Sequence, residues 1–176
     1  EEVAKETKAA GLRGVLGQTV IQFPVADAKT PLDALARAET FIKAFRNDPL
    51  ITPAVAPHAI YTNDEPTLRA ARDLSRKYGV PTLIHVAETQ AETDTAKARG
   101  APSVVAYLDR LGFLGPGVVA AHAVWVTDGD IATLKSRGVG VSHNPESNMK
   151  LASGVAPVRG YLAADVAIGI GTDGAA

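Results

Sequence analysis

Six side chains of this sequence have the types and spacing to do chemistry together: His58, His85, Glu88, His122, His143 and Asp173. Each histidine falls at or near the end of a short apolar run that reads as a strand, namely ITPAVAPH at 51–58, TLIHV at 82–86, GVVAAH at 117–122 and GVGVSH at 138–143. Asp173 follows another such run, VAIGIGT at 166–172. A lone histidine near a strand end is more often a structural hydrogen-bonder than a ligand. Strand ends are a small minority of positions, so four histidines all falling there favour a shared site. Imidazole and carboxylate gathered in this way suit a catalytic zinc or similar divalent ion with an open coordination position. The chain has no cysteine, which excludes disulfides, cysteine–zinc sites and thiol nucleophiles and leaves only histidine and carboxylate to hold a metal.

Glu88 comes three residues after His85, where a strand gives way to its loop and the turning chain can bring both toward one cavity. Taken alone it reads better as a solvated acid in the first turn of the next helix. Gly169-Ile170-Gly171-Thr172-Asp173-Gly174 matches the dinucleotide-binding pattern GxGxxG, and a dinucleotide-dependent oxidoreductase is one alternative. Against it, that pattern normally opens the first βαβ unit of a domain, and the charge of Asp173 would meet a pyrophosphate unfavourably. The glycines read instead as allowing close approach of the backbone around Asp173. The segment Ser142 to Leu151 is dense in residues that bond their own backbone, and reads as a turn-rich loop held by Asn144, Ser147 and Asn148. Over a barrel mouth it would order a site without touching the reacting atoms.

The elements that must position these groups are legible from periodicity. Residues 1–10 are a charged helix stopped by Gly11 and Gly14, and Val15 to Ile21 is strand-like. Pro31 opens a helix over 31–46 with Leu32, Leu35, Ala36, Phe41, Ile42 and Phe45 on its apolar stripe, and Pro49 ends it. Further helical patterns span 64–78, 92–111 and 128–136, and the stretch after 143 reads as irregular. Pro53 and Pro57 make the limits of the strand at 51–58 the least defined. The strand runs are apolar on both faces and their spacers are long enough for crossovers, so the fold class is α/β with parallel strands covered by helices. Six such units suit a doubly wound sheet or an incomplete (β/α)8 TIM-type barrel, whose full form takes ~250 residues. In such barrels catalytic groups come from the carboxyl ends of several strands. Residues 1–176 read as a single domain with no linker, and the start on a helix and the stop just after a strand lead us to expect further sequence at both ends.

A formal net charge of -1 provides no field to attract nucleic acid or an anionic membrane, and neither is expected as a partner. No apolar run approaches the ~20 residues of a membrane span, and the charged N-terminus is unlike a signal peptide, so a cytoplasmic location is expected. A homo-oligomer is compatible with these residues.

Several motifs, in order, resemble the amidohydrolase superfamily, in the branch of S-adenosylhomocysteine and methylthioadenosine deaminases and the triazine hydrolases. They are Pro57-His58 with Tyr61-Thr62, His85-Val86-Ala87-Glu88-Thr89, Ala121-His122-Ala123, Ser142 to Leu151 with Ala152-Ser153-Gly154, and Gly171-Thr172-Asp173-Gly174-Ala175-Ala176. The resemblance implies one divalent metal ion, zinc being the expected one, with His85 as ligand and Asp173 as both ligand and the base that takes a proton from the attacking water. It makes Glu88 the proton shuttle, puts His122 beside the water or leaving group, and has His58 hydrogen-bond a small heterocyclic substrate. His143 takes a supporting part. The superfamily's His-x-His pair, which supplies two further ligands from the first barrel strand, does not occur in the sequence. By this resemblance the chain holds about strands three to eight and lacks the first two and the terminal β-domain.

The reaction so implied is hydrolysis of a C–N bond, most simply deamination of an adenosine thioether or related purine-like ring, a choice resting on family likeness. Hydrolytic dechlorination or deamination of triazine-like rings uses the same chemistry with a different leaving group. A non-catalytic barrel fragment or binding protein is the remaining alternative.

Overall fold

A computed structural model describes residues 1–174, so the expectation for Ala175 and Ala176 lies outside the described residues. The chain forms two compact units. Unit 1 comprises Glu1–His58 and Thr62–Leu83; unit 2 comprises Ala59–Tyr61 and the chain from Ile84 on.

Unit 1 contains α1 (Glu2–Ala9), β1 (Gly14–Val20), α2 (Pro31–Phe45), β2 (Ile51–Pro57), α3 (Glu65–Tyr78) and the first two residues of β3 (Thr82–Val86). Local signals fix the helix ends. Asp33 N–H donates to Thr30 Oγ1 (3.1 Å) and Thr30 N–H donates to Asp33 Oδ2 (3.0 Å), a capping box that starts α2 with Pro31 at its head. Asp64 accepts from Thr67 N–H to start α3, and Gly79 at φ +66° ends it. β1 and β2 run parallel in register from Gly14↔Ile51 to Val20↔Pro57. At Gly17 a side chain would bring its Cβ to 2.7 Å from Ala56 Cβ, so the close approach of these strands requires glycine there. Val20, Ala28, Ala34, Ile42, Val55 and Ala71 make the core between the two strands and α2 and α3.

Pro53 and Pro57 do not break β2, for a reason of register. Val55 N–H donates to the Pro81 carbonyl, and Val55 is the residue opposite Thr82, where β3 begins. By strand alternation the nitrogen of Pro53 faces the same way two residues earlier, before β3 has started, so no ladder bond is lost. Pro57 is the last residue of the strand.

Unit 2 contains the rest of β3, then α4 (Gln90–Ala98), α5 (Val104–Arg110), β4 (Val118–His122), α6 (Asp128–Arg137), β5 (Gly140–His143), α7 (Pro145–Lys150), α8 (Val158–Ala163) and β6 (Ile168–Ile170). Its strands follow chain order, β3-β4-β5-β6, with β4 parallel to β5 from Val119↔Gly140 and β5 parallel to β6 from Val141↔Ile168. The strand residues Ile84, Val86, Val118, Ala120 and Val141 are buried, with Val104, Val105, Leu108, Ile131 and Leu134 of the covering helices.

Two expectations are corrected here. The helix expected over 92–111 is two helices, because Gly100 takes φ +74°, Pro102 follows, and Ser103 caps a new start by accepting from Ala106 N–H (3.0 Å). Arg110 fastens the break, its guanidinium donating to the carbonyls of Arg99 (2.6 Å) and Gly100 (2.7 Å). The stretch after 143 is not wholly irregular, since Pro145 opens the six-residue α7 and α8 follows. No helix among the described residues is long and apolar enough to cross a membrane.

Candidate metal centre and active site

The site lies within unit 2, at the carboxyl ends of its strands. His85 is the fourth of five residues in β3, His122 is the last of β4, and Asp173 lies three residues beyond β6. Each can offer one ligand atom to a common point, with those atoms all within 4.8 Å of one another. The imidazoles of His85 and His122 stack at 5.4 Å between ring centroids. Asp173 is held ionised: the Ser147 hydroxyl donates to its Oδ2 (2.7 Å) and sets its carboxyl below the usual carboxylate range, with help from the Gly174 N–H and the two imidazoles and against partial burial.

His122 gives the test of whether a cation fits. The ring is fully buried, its Nδ1 lies 2.9 Å from Asn148 Oδ1, and its Nε2 is buried with no hydrogen-bond partner. That nitrogen faces Glu88 Oε2 at 3.7 Å and Asp173 Oδ2 at 3.6 Å, too far for a hydrogen bond to either. A buried polar atom left this way costs about 1–3 kcal/mol. The ligand-capable atoms of His85, His122 and Asp173 converge beside this buried nitrogen, so the residues present fit a divalent metal, with Glu88 next to them rather than among them.

Glu88 is partly buried, and its Oε1 accepts from the Ser153 hydroxyl (3.1 Å). The loop that carries it is fixed by Glu92, a residue the sequence reading passed over. The buried Glu92 carboxylate accepts from the N–H groups of Ala87 (3.1 Å), Glu88 (2.8 Å) and Thr89 (3.2 Å), while burial pushes its carboxyl up against the pull of those amides. The signal that could have found it is Thr89-x-x-Glu92, a capping-box pattern at the head of α4. Glu92→Ala is expected to destabilise the protein by about 3 kcal/mol, since it strands three N–H donors of the site loop. Urea unfolding of the variant measures this, and an unchanged midpoint would contradict the role given to Glu92.

The backbone is strained where it delivers these side chains. Ala87 (φ +49°), His122 (+70°), Ala123 (+47°) and Asp173 (+63°) are non-glycine residues in the left-handed region, a conformation costing roughly 1–2 kcal/mol each. Surrounding bonds hold two of them, Ala87 and Ala123: Ala123 N–H donates to Val86 O (2.9 Å), Val124 and Trp125 N–H to Ala87 O (3.0 and 2.9 Å), and the buried Tyr161 hydroxyl to Ala123 O. At Gly171, two residues before Asp173, a Cβ would lie 2.4 Å from Asn144 Oδ1 and 2.9 Å from Ser142 Oγ, so any side chain there would displace these two. Its N–H donates to His143 O (2.8 Å), which ties the end of β5 to the loop of Asp173.

Of the residues singled out from sequence, His85, Glu88, His122 and Asp173 come together. His143 ends β5 outside the His85, His122 and Asp173 group, and His58 belongs to unit 1, where its Nδ1 lies 3.0 Å from Thr62 Oγ1. Ser147 and Asn148 differ from expectation, since their side chains reach Asp173 and His122 rather than their own turn. Ser153, given no role from sequence beyond its place in the Ala152-Ser153-Gly154 motif, donates to Glu88 in the same way.

Histidine and carboxylate at the carboxyl ends of parallel strands define the class: an α/β protein with a group of side chains that could hold a metal ion. Residues 1–176 match the amidohydrolase family, and the chain belongs to it. It is 44% identical over its whole length to a 5-methylthioadenosine/S-adenosylhomocysteine deaminase of Thermodesulfovibrio yellowstonii, covering 40% of that protein. It is 45% identical over 99% of its length to a 5'-deoxyadenosine deaminase of Methanothrix thermoacetophila, covering 41% of it. Among solved structures it superimposes on an adenosine deaminase from Xanthomonas campestris with bound zinc, with a TM-score of 0.94 and 38% identity, over 97% of this chain and 39% of that one. The chain thus spans about 40% of the length of the curated relatives it matches. The family match bears out the expected fold class and sets aside the dinucleotide-binding reading of Gly169 to Gly174.

Proposed function

We propose that residues 1–176 supply part of the barrel and active site of a cytoplasmic, metal-dependent aminohydrolase that deaminates an adenosine thioether or related purine-like nucleoside. The observation that carries this is the buried Nε2 of His122, which has no hydrogen-bond partner and faces the carboxylates of Asp173, its partner in the His85, His122 and Asp173 group, and of Glu88 beside that group. The substrate class rests on the names of the relatives, two of which are deaminases of 5'-modified adenosines.

In this reading His85 and Asp173 hold one divalent ion, and the zinc in the Xanthomonas structure supports that metal. A His-x-His pair outside these residues completes the ligand set. When bound, such an ion lowers the pKa of a water toward ~7 and so makes a nucleophile available at neutral pH. Asp173, ionised by its bond from Ser147, accepts the proton of the attacking water. Glu88, held at Oε1 by Ser153, donates a proton to a ring nitrogen, so charge does not build on the ring as its carbon becomes tetrahedral. His122 stands beside the water and the departing ammonia, and His58 hydrogen-bonds the substrate. After water adds, the proton taken by Asp173 passes to the amino group, the hydroxyl proton of the tetrahedral carbon returns to Glu88, and ammonia leaves with a ring carbonyl in its place.

Assays of the full-length protein for ammonia from methylthioadenosine, deoxyadenosine and adenosine, and for chloride from chlorotriazines, test this reading. We expect ammonia from the nucleosides; chloride release with no ammonia would overturn it.

A further inference from the structure

The segment from α7 to Ser153 touches three of the site's groups with three side chains, and one contact has a chemical consequence beyond support. Asn148 is buried on α7, and its Oδ1 lies 2.9 Å from Nδ1 of the fully buried His122. A neutral imidazole has one N–H and one lone pair, so whatever faces one nitrogen decides the state of the other. An N–H on Nε2 would draw a carboxylate oxygen to about 2.7–2.9 Å. The nearest ones stand at 3.6 and 3.7 Å, and each carboxylate already has a donor, Ser147 on Asp173 and Ser153 on Glu88. At these separations Nε2 donates to neither carboxylate, which favours the tautomer with its N–H at Nδ1, on the Asn148 side.

We propose that Asn148 is a positioning residue that accepts the N–H of His122 at Nδ1 and thereby keeps Nε2 a lone pair facing the metal centre. The inference rests on the proposed reading in which His85 and Asp173 hold the ion and His122 stands beside it. The opposite arrangement turns the amide so that its nitrogen donates to Nδ1, which puts the N–H on Nε2 and aims a donor rather than an acceptor at the centre.

The two are separated by two-bond 1H–15N correlation spectra of the metal-free full-length protein labelled in histidine. The expected result is a protonated-type Nδ1 and an unprotonated-type Nε2 for His122, with a shift toward the other tautomer in Asn148→Ala. Turnover of that variant should fall about 10–100-fold, the range for residues that orient a site histidine. A protonated Nε2 in the wild-type protein overturns the proposal, and that result does not depend on the folding of any variant. Unchanged tautomer populations in a folded Asn148→Ala overturn it too. The spectrum needs no substrate, so a protein with the expected tautomer that releases no ammonia counts against the deaminase reading and leaves this one standing.

Discussion

Asp173→Ala in the full-length protein is expected to lose its divalent ion and at least ~10³-fold of its turnover, because one substitution removes a ligand and the base that takes the proton from water. The geometry makes this the largest single effect. Asp173 is the only carboxylate in the group whose ligand atoms converge within 4.8 Å, and it is kept ionised by Ser147 and the Gly174 N–H. The check is elemental analysis of the purified variant beside its rate of ammonia release. Unchanged metal content with retained turnover would contradict both roles.

Glu88→Gln should separate chemistry from metal binding. Glu88 lies outside that group and its Oε2 stands 3.7 Å from His122 Nε2, so the amide variant should keep the ion. It can no longer give and take a proton, and kcat is expected to fall ~10²–10⁴-fold, the range for a positioned general acid or base. The Ser153 hydroxyl can still donate to the amide oxygen, so the side chain should stay in place. A variant with full kcat, or one stripped of metal, would show that Glu88 is not the proton shuttle.

These residues were legible in the sequence because parallel strands bring their carboxyl ends to one side, so a histidine closing a predicted strand is already half placed. His85 and His122 needed only correct strand limits, and Asp173 only the recognition that Gly171 admits a close approach. The helix break at Gly100 was missed because the apolar pattern resumes at Val104, Val105 and Leu108, and periodicity reads through a short interruption. The supporting bonds were harder. Ser147 meets Asp173 and Asn148 meets His122 across 26 residues, and Ser153 meets Glu88 across 65, whereas serine and asparagine in a loop suggest local turn bonds first. The left-handed backbone at Ala87 and Ala123 has no sequence signature, since alanine does not announce a positive φ as glycine does, and the enrichment of histidine there is too weak to mark His122. What could not be read was set by tertiary contact. Glu92 is the exception, since its capping-box spacing was visible and its meaning for Glu88 was not.

The most direct test of the central claim is to strip the full-length protein of metal with a chelator, return zinc in measured amounts, and follow ammonia release from methylthioadenosine. The account predicts that activity disappears with the metal and returns in proportion to zinc until one equivalent per chain is bound. Undiminished ammonia release from the metal-free protein would contradict it.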